Sequence, residues 1–124
     1  MDASVPRERA LIAYDLTHVF LRCLENGQTD ALQEKFGIGA GVFSEIQEAL
    51  ASYAQGALGW TLPPKALAFS GALRIFDVFP MHDPQTFGIE SSLWLDGKEQ
   101  EPVIHATIRF SDHEAIFQYR YIGS

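Results

Sequence analysis

At 124 residues, with 47% apolar and 20% charged side chains, the chain has the size and composition of one globular domain around a single core. Its formal net charge of -7 is spread over both halves, five basic against eight acidic residues through Lys65 and four against eight beyond it. That charge repels nucleic acid and anionic membrane at long range, so neither is expected as a partner, while a basic protein would be attracted.

The single cysteine, Cys23, excludes an internal disulfide framework. No basic segment leads into an apolar run near the amino terminus, and no apolar run approaches the ~20 residues that cross a bilayer. A soluble, cytoplasmic protein is the expectation.

Residues 1–56 read as a helical half. Ser4 can cap a first helix with Pro6 in its first turn, where the missing amide donor costs nothing. Ile12, Leu16, Val19, Phe20, Cys23 and Leu24 recur at three- and four-residue steps, and Asp15, His18, Arg22 and Glu25 fall opposite them. Asn26-Gly27 supplies a left-handed stop. Thr29 is placed to cap a short second helix carrying Leu32 and Phe36, which the glycine-rich residues 37–41 interrupt. A third helix presents Phe43, Ile46, Leu50 and Tyr53 on one face and closes at Gly56. Residues 57–65, with Trp60 and Pro63-Pro64, form the connection.

From residue 66 to 124 the apolar period changes to 2, the mark of strands. Leu67, Phe69, Leu73 and Ile75 indicate a first strand, and the parity switch to Phe76 and Val78 points to a bulge or a twist around residues 74–77. Phe87, Ile89, Leu93 and Leu95 mark a second strand, Ile104, Ala106, Ile108 and Phe110 a third, and Phe117, Tyr119 and Tyr121 a fourth. The fold expected is α+β: three amino-terminal helices packed on one face of a four-stranded antiparallel meander sheet, a single domain over 1–124.

Register follows from keeping the apolar residues on one face. A loop at residues 111–114 pairs Phe110 with Ala115, Ile108 with Phe117, Ala106 with Tyr119 and Ile104 with Tyr121. For the preceding hairpin, a tight Asp96-Gly97 turn would put Lys98 and Gln100 on the apolar face. A six-residue loop at 96–101 is therefore expected, pairing Leu95 with Pro102, Leu93 with Ile104 and Ile89 with Ile108. The opposite face then carries Trp94, Val103 and Ile122 in one row, Ser92, His105 and Arg120 in the next, Glu90, Thr107 and Gln118 in a third, and Gly88, Arg109 and Ile116 in the last.

No stretch carries a catalytic signature. Residues 37–41 lack both the Lys-Ser/Thr ending of a phosphate loop and the third glycine of a dinucleotide fingerprint, so they read as a helix connection. Cys23 sits on the buried stripe, where a thiol stays protonated and inert. His18 reads as a surface residue. His82, Asp83, Asp112, His113 and Glu114 should lie in neighbouring loops at one sheet edge, without the ligand spacing of a metal centre. His105 with Glu90 and Arg120 is the best acid–base candidate, but it needs a roof that the helices cannot supply. No catalytic residue, metal or cofactor is assigned.

The acidic tip at residues 96–101 and the meander over 87–122, ending Tyr119-Arg120-Tyr121-Ile122, leave a mixed polar and aromatic face free for a partner. With the helical first half, the chain resembles the small acidic α+β immunity proteins of bacterial toxin–immunity (contact-dependent inhibition) systems. That resemblance implies a non-enzymatic protein-binding inhibitor whose partner is a cognate toxin domain, basic and often a nuclease. Binding is expected at Asp96, Glu99 and Glu101, with Trp94 as apolar anchor and His105 and Arg120 alongside. The four strands and their aromatics also resemble the cone-shaped NTF2-like fold, which implies a ligand-binding or catalytic pocket over a curved sheet, lined by Phe76, Trp94 and His105.

Overall fold

The computed structural model describes residues 5–56, 59–69 and 75–123. Three helices, α1 (Arg7–Glu25), α2 (Thr29–Phe36) and α3 (Ala40–Tyr53), precede a helical turn α4 (Lys65–Ala68) and four strands: β1 (Phe76–Pro80), β2 (Thr86–Leu95), β3 (Lys98–Phe110) and β4 (Ala115–Gly123). The strands form one antiparallel meander in the order β1-β2-β3-β4, and the helices cover one face of it. The fold is α+β, as its sequence periods require.

Helix α1 lies across the whole sheet. Near its start, Tyr14 meets Phe76 of β1 edge-on at 5.3 Å. Two turns on, Phe20 meets Phe117 and Tyr119 of β4 at 5.1 and 5.5 Å. Its buried stripe is Ala10, Ala13, Tyr14, Thr17, Phe20, Leu21, Cys23 and Leu24. Ile12 and Leu16 flank that stripe half-buried. Val19, expected inside, is instead 38% exposed. The helix is rotated from that expectation, with Ala13 fully buried and Tyr14 turned onto Phe69 and Phe76. Thr17 tolerates full burial because its hydroxyl donates to the Ala13 carbonyl at 2.7 Å.

The helix ends follow from glycine. Gly27 adopts φ +62°, and the Gln28 N–H reaches back to the Cys23 carbonyl at 3.0 Å, a Schellman closure. Gly37 does the same for α2, with Ile38 N–H on the Leu32 carbonyl at 3.0 Å. The caps expected at the other ends differ: Thr29 is the first residue of α2 with no side-chain cap bond, and Ser4 lies outside the described residues. Buried Leu32, Phe36, Ile46 and Leu50 seat α2 and α3 on the same core.

The expected first strand is corrected in its first half. Leu67 and Phe69 belong to α4 and its end, where Leu67 N–H and Ala68 N–H both bond the Pro64 carbonyl at 2.9 and 2.8 Å. Pro64 fixes a turn start and Ala66 and Ala68 favour the helical conformation, so alternation at 67 and 69 was a coincidence of two residues. Leu73 and Arg74 lie outside the described residues, while Phe76 and Asp77, at the end of the expected bulge or twist, pair regularly with Ser91 and Glu90. The strand proper begins at Phe76, whose face also holds Val78.

The β3–β4 hairpin pairs Phe110 with Ala115, Ile108 with Phe117 and Ala106 with Tyr119, as the apolar pattern demands. It then departs: a bulge leaves Arg120 without a partner, so Tyr121 pairs with His105 and Ile122 with Ile104. The β2–β3 hairpin also departs, pairing Leu95 with Lys98 and Ile89 with Ala106. Asp96 and Gly97 take φ +51° and +74°, the two positive values of a type I′ turn, whose twist matches that of the flanking strands. The objection to Lys98 fails because the tip projects past the core, leaving Lys98 exposed and Leu95 half-buried. Between Ser92/Val103 and Trp94/Glu99, three residues of β3 face Leu93 alone. Pro102, which has no N–H to give the ladder, sits in that bulge and is buried.

Two tyrosines, Tyr14 buried and Tyr119 half-buried, give the core an alkaline limit. Burial raises the Tyr14 phenol above 10.0, opposed by Lys65 and aided by Asp15. Burial likewise raises Tyr119 above 10.0, opposed by a backbone bond from Ile122 and aided by Glu45. The raised group favours its protonated form in the fold, so its contribution is complete below the unfolded value. That contribution is lost as pH climbs above about 10 through the folded values. Denaturation at increasing alkalinity should show this loss, and the Tyr14→Phe/Tyr119→Phe double variant should flatten it. An unchanged fall in that variant would place the cause elsewhere.

Candidate functional site

The sheet face turned away from the helices is the site that the fold leaves open. Alternation and the two bulges decide what stands on it. One row crosses all four strands: Asp77 pairs with Glu90, Glu90 with His105, and His105 with Tyr121. The His105 and Tyr121 rings stack at 4.1 Å and 11°. Glu90 Oε1 stands 3.4 Å from His105 Nδ1, with 47% of the Glu90 side chain exposed. Tyr121 is 55% exposed, the most open large apolar residue of the described chain, and Ile116 on the same strand is 40% exposed.

The next row is quieter. Phe79 of β1 pairs with Gly88 of β2, and the Phe79 ring occupies the space where a β-carbon on Gly88 would go. Gly88 is required there so that the ring can lie flat on the backbone.

At one end of this face the hairpin tip carries Asp96 in the type I′ turn and Glu99 and Glu101 at the start of β3, all exposed. These three expected binding residues sit together on the projecting hairpin tip. His105 is where the sequence placed it, on the outer face with Glu90. Arg120 is not in its row; as the bulged residue it is exposed beside it, and Tyr121 takes the place opposite His105. Trp94 is corrected from an exposed anchor to a covered residue, 8% exposed. Its indole N–H donates to Ser92 Oγ at 3.1 Å, and its backbone exchanges two hydrogen bonds with Thr61 at 2.8 and 2.9 Å. The rows joining Trp94 to Ile122 and Arg120 to Ser92 therefore do not form. Tyr121 was missed because the only sequence sign of the bulge is the adjacent apolar pair Tyr121-Ile122.

The loop edge is as neighbourly as expected: the Phe110 N–H bonds the Gln85 carbonyl at 2.8 Å, tying residues 81–85 to the end of β3. Asp83 serves that loop, accepting from Gln85 N–H at 3.0 Å and Thr86 Oγ1 at 3.1 Å. Among the described residues no three His, Cys, Asp or Glu side chains converge as metal ligands would. Cys23 is 5% exposed within the core, and His18 is exposed.

Phe76 is 3% exposed and shares the inner face with Ser91 and Ile104, the neighbours in sequence of Glu90 and His105. Phe76 and His105 thus stand on opposite sides of the sheet and cannot line one pocket. A cavity of about 230 Å³ lies instead between α1 and α3, lined chiefly by Leu21, Leu24, Ile46, Leu50 and Trp60. Among the described residues no helix is long and apolar enough to cross a membrane. Comparison with known proteins gives no matching family model, no matching curated protein and no matching solved structure.

Proposed function

We propose that this chain is a non-enzymatic inhibitor that binds a basic protein domain, acting as an immunity protein does on its cognate toxin. The observation that carries the reading is the uncovered outer face of the sheet, where exposed Tyr121 stacks on His105 beside Glu90. The acidic tip of Asp96, Glu99 and Glu101 stands at the end of that sheet. An open aromatic centre with an acidic margin fits a partner that brings basic side chains, the aromatic supplying affinity and the charges the rate of encounter. Arginine in particular can lie over an exposed tyrosine ring while pairing with a carboxylate. The net charge of -7 extends the same attraction beyond contact distance.

The test starts from the gene beside this one. A toxin domain encoded there should bind the purified chain, and co-expression of the chain should restore growth to cells producing that toxin. Absence of both binding and protection would overturn the reading. Reversing Glu99 and Glu101 to Lys should slow association without changing dissociation much, and the effect should shrink as salt rises. Surface plasmon resonance over a salt series measures this. Kinetics unchanged by the reversal would remove the hairpin tip from the interface.

A further inference from the structure

The two edges of the sheet are treated differently. Strand β1 is five residues long and ends at Pro80, and past its other end, at Phe76, Thr61 pairs with the Trp94 backbone that β1 leaves free. Short length, proline and an overlying segment are the ordinary ways to stop an edge from recruiting another strand. Strand β4 is nine residues long and contains no proline. Among the described residues, no backbone but that of β3 pairs with it, and the one further bond to its main chain is that between Ile122 and the Tyr119 phenol of the same strand. Its one protective feature is the bulge at Arg120.

The charge on β4 is also unlike the rest of the molecule. In a chain of net charge -7, Ala115–Gly123 holds one cation, Arg120, and no carboxylate. Carboxylates stand just before it, at Asp112 and Glu114. The strand therefore has an acidic start and a basic end, and it carries Ile116 and Tyr121 exposed along its length.

We infer that β4 pairs with the β4 of a second copy of the chain, antiparallel about a twofold axis, joining the two sheets into one. Antiparallel pairing brings the basic end of each strand to the acidic start of the other. Centred on Gln118, it sets Arg120 opposite Ile116 of the second copy and diagonal to Glu114, within reach of a long side chain. The contact is self-complementary and occurs twice, as a closed dimer requires. No carboxylate of β4 itself is buried by it. A basic partner offering a strand to this edge would instead confront Arg120, so a copy of the same chain is the better occupant. The inference is independent of the identity of any toxin.

Sedimentation velocity over a wide concentration series, on the whole chain, tests it. The wild type should dimerise and should dissociate on dilution. Ile116→Lys places a cation against Arg120, and Arg120→Glu places an anion near Glu114. Each change acts twice across the axis, so each should weaken dimerisation roughly tenfold. The Glu114→Arg/Arg120→Glu double variant should regain dimerisation, an outcome that loss of folding cannot produce. Thermal unfolding followed by circular dichroism checks that each variant is folded. A wild type that stays monomeric throughout, a dimer indifferent to both single changes, or a double variant that fails to recover would overturn the inference.

Discussion

Replacing Phe20 with alanine should lower stability by about 3–5 kcal/mol, the largest loss expected from any single truncation in the chain. Phe20 is fully buried, and three rings close on it. It meets Phe36 of α2 edge-on at 5.2 Å, Phe117 of β4 at 5.1 Å, and Tyr119 of β4 in a stack at 5.5 Å. Alanine would forfeit the transfer energy of the ring and leave a void that two aromatic residues from another element cannot collapse to fill. Small domains have about 5–15 kcal/mol in total, so the variant should sit near its folding threshold. Urea denaturation gives the number, with an unchanged dependence on denaturant confirming that the same surface unfolds. A loss below about 1 kcal/mol would mean that α1 is not seated on β4 as described.

Trp94→Ala should be a stability variant before it is a binding variant, costing about 3 kcal/mol. The reason is its cover: only 8% of the residue is exposed. Its indole N–H is held by Ser92, and its backbone fastens the segment around Thr61 to the sheet. A covered aromatic gives a partner little to touch until something moves. Chemical denaturation of the variant, paired with binding measured on its folded fraction, separates the two roles. Normal stability with lost affinity would restore Trp94 as the anchor and demote Tyr121.

The helices and the faces of the sheet were legible in the sequence, and so was the β3–β4 register up to the bulge, but the β2–β3 register was not. Apolar residues three and four apart locate α1 and α3 whatever happens elsewhere, because that spacing is enforced by the helix itself. Inner and outer faces survive a register error of two residues, which moves partners along but not across the sheet. Ile89 therefore faces inward whether it meets Ile108 or, as observed, Ala106. What alternation cannot show is an extra residue absorbed by a bulge. Pro102 marks such a site because it has no ladder donor, whereas the bulge at Arg120 is marked only by the adjacent apolar pair Tyr121-Ile122. Leu67 and Phe69 misled for the opposite reason: two apolar residues two apart are too few to tell a strand from a turn. In the candidate site the acidic tip was readable from Asp96, Glu99 and Glu101 alone. Tyr121 could be placed only after the bulge was seen.

That bulge decides which residue of β4 reaches the outer face. Straightened at full length, the strand would set Arg120 opposite His105 and turn Tyr121 inward opposite Ile104. The aromatic platform would then give way to a cation with no change of sequence. Deleting the single residue Arg120 would instead remove the bulge and leave Tyr121 opposite His105 and Ile122 opposite Ile104, as they stand now. The faces of the other strands would keep their places in both cases. The one residue that the strand absorbs outside the ladder therefore keeps the tyrosine outside and the isoleucine inside.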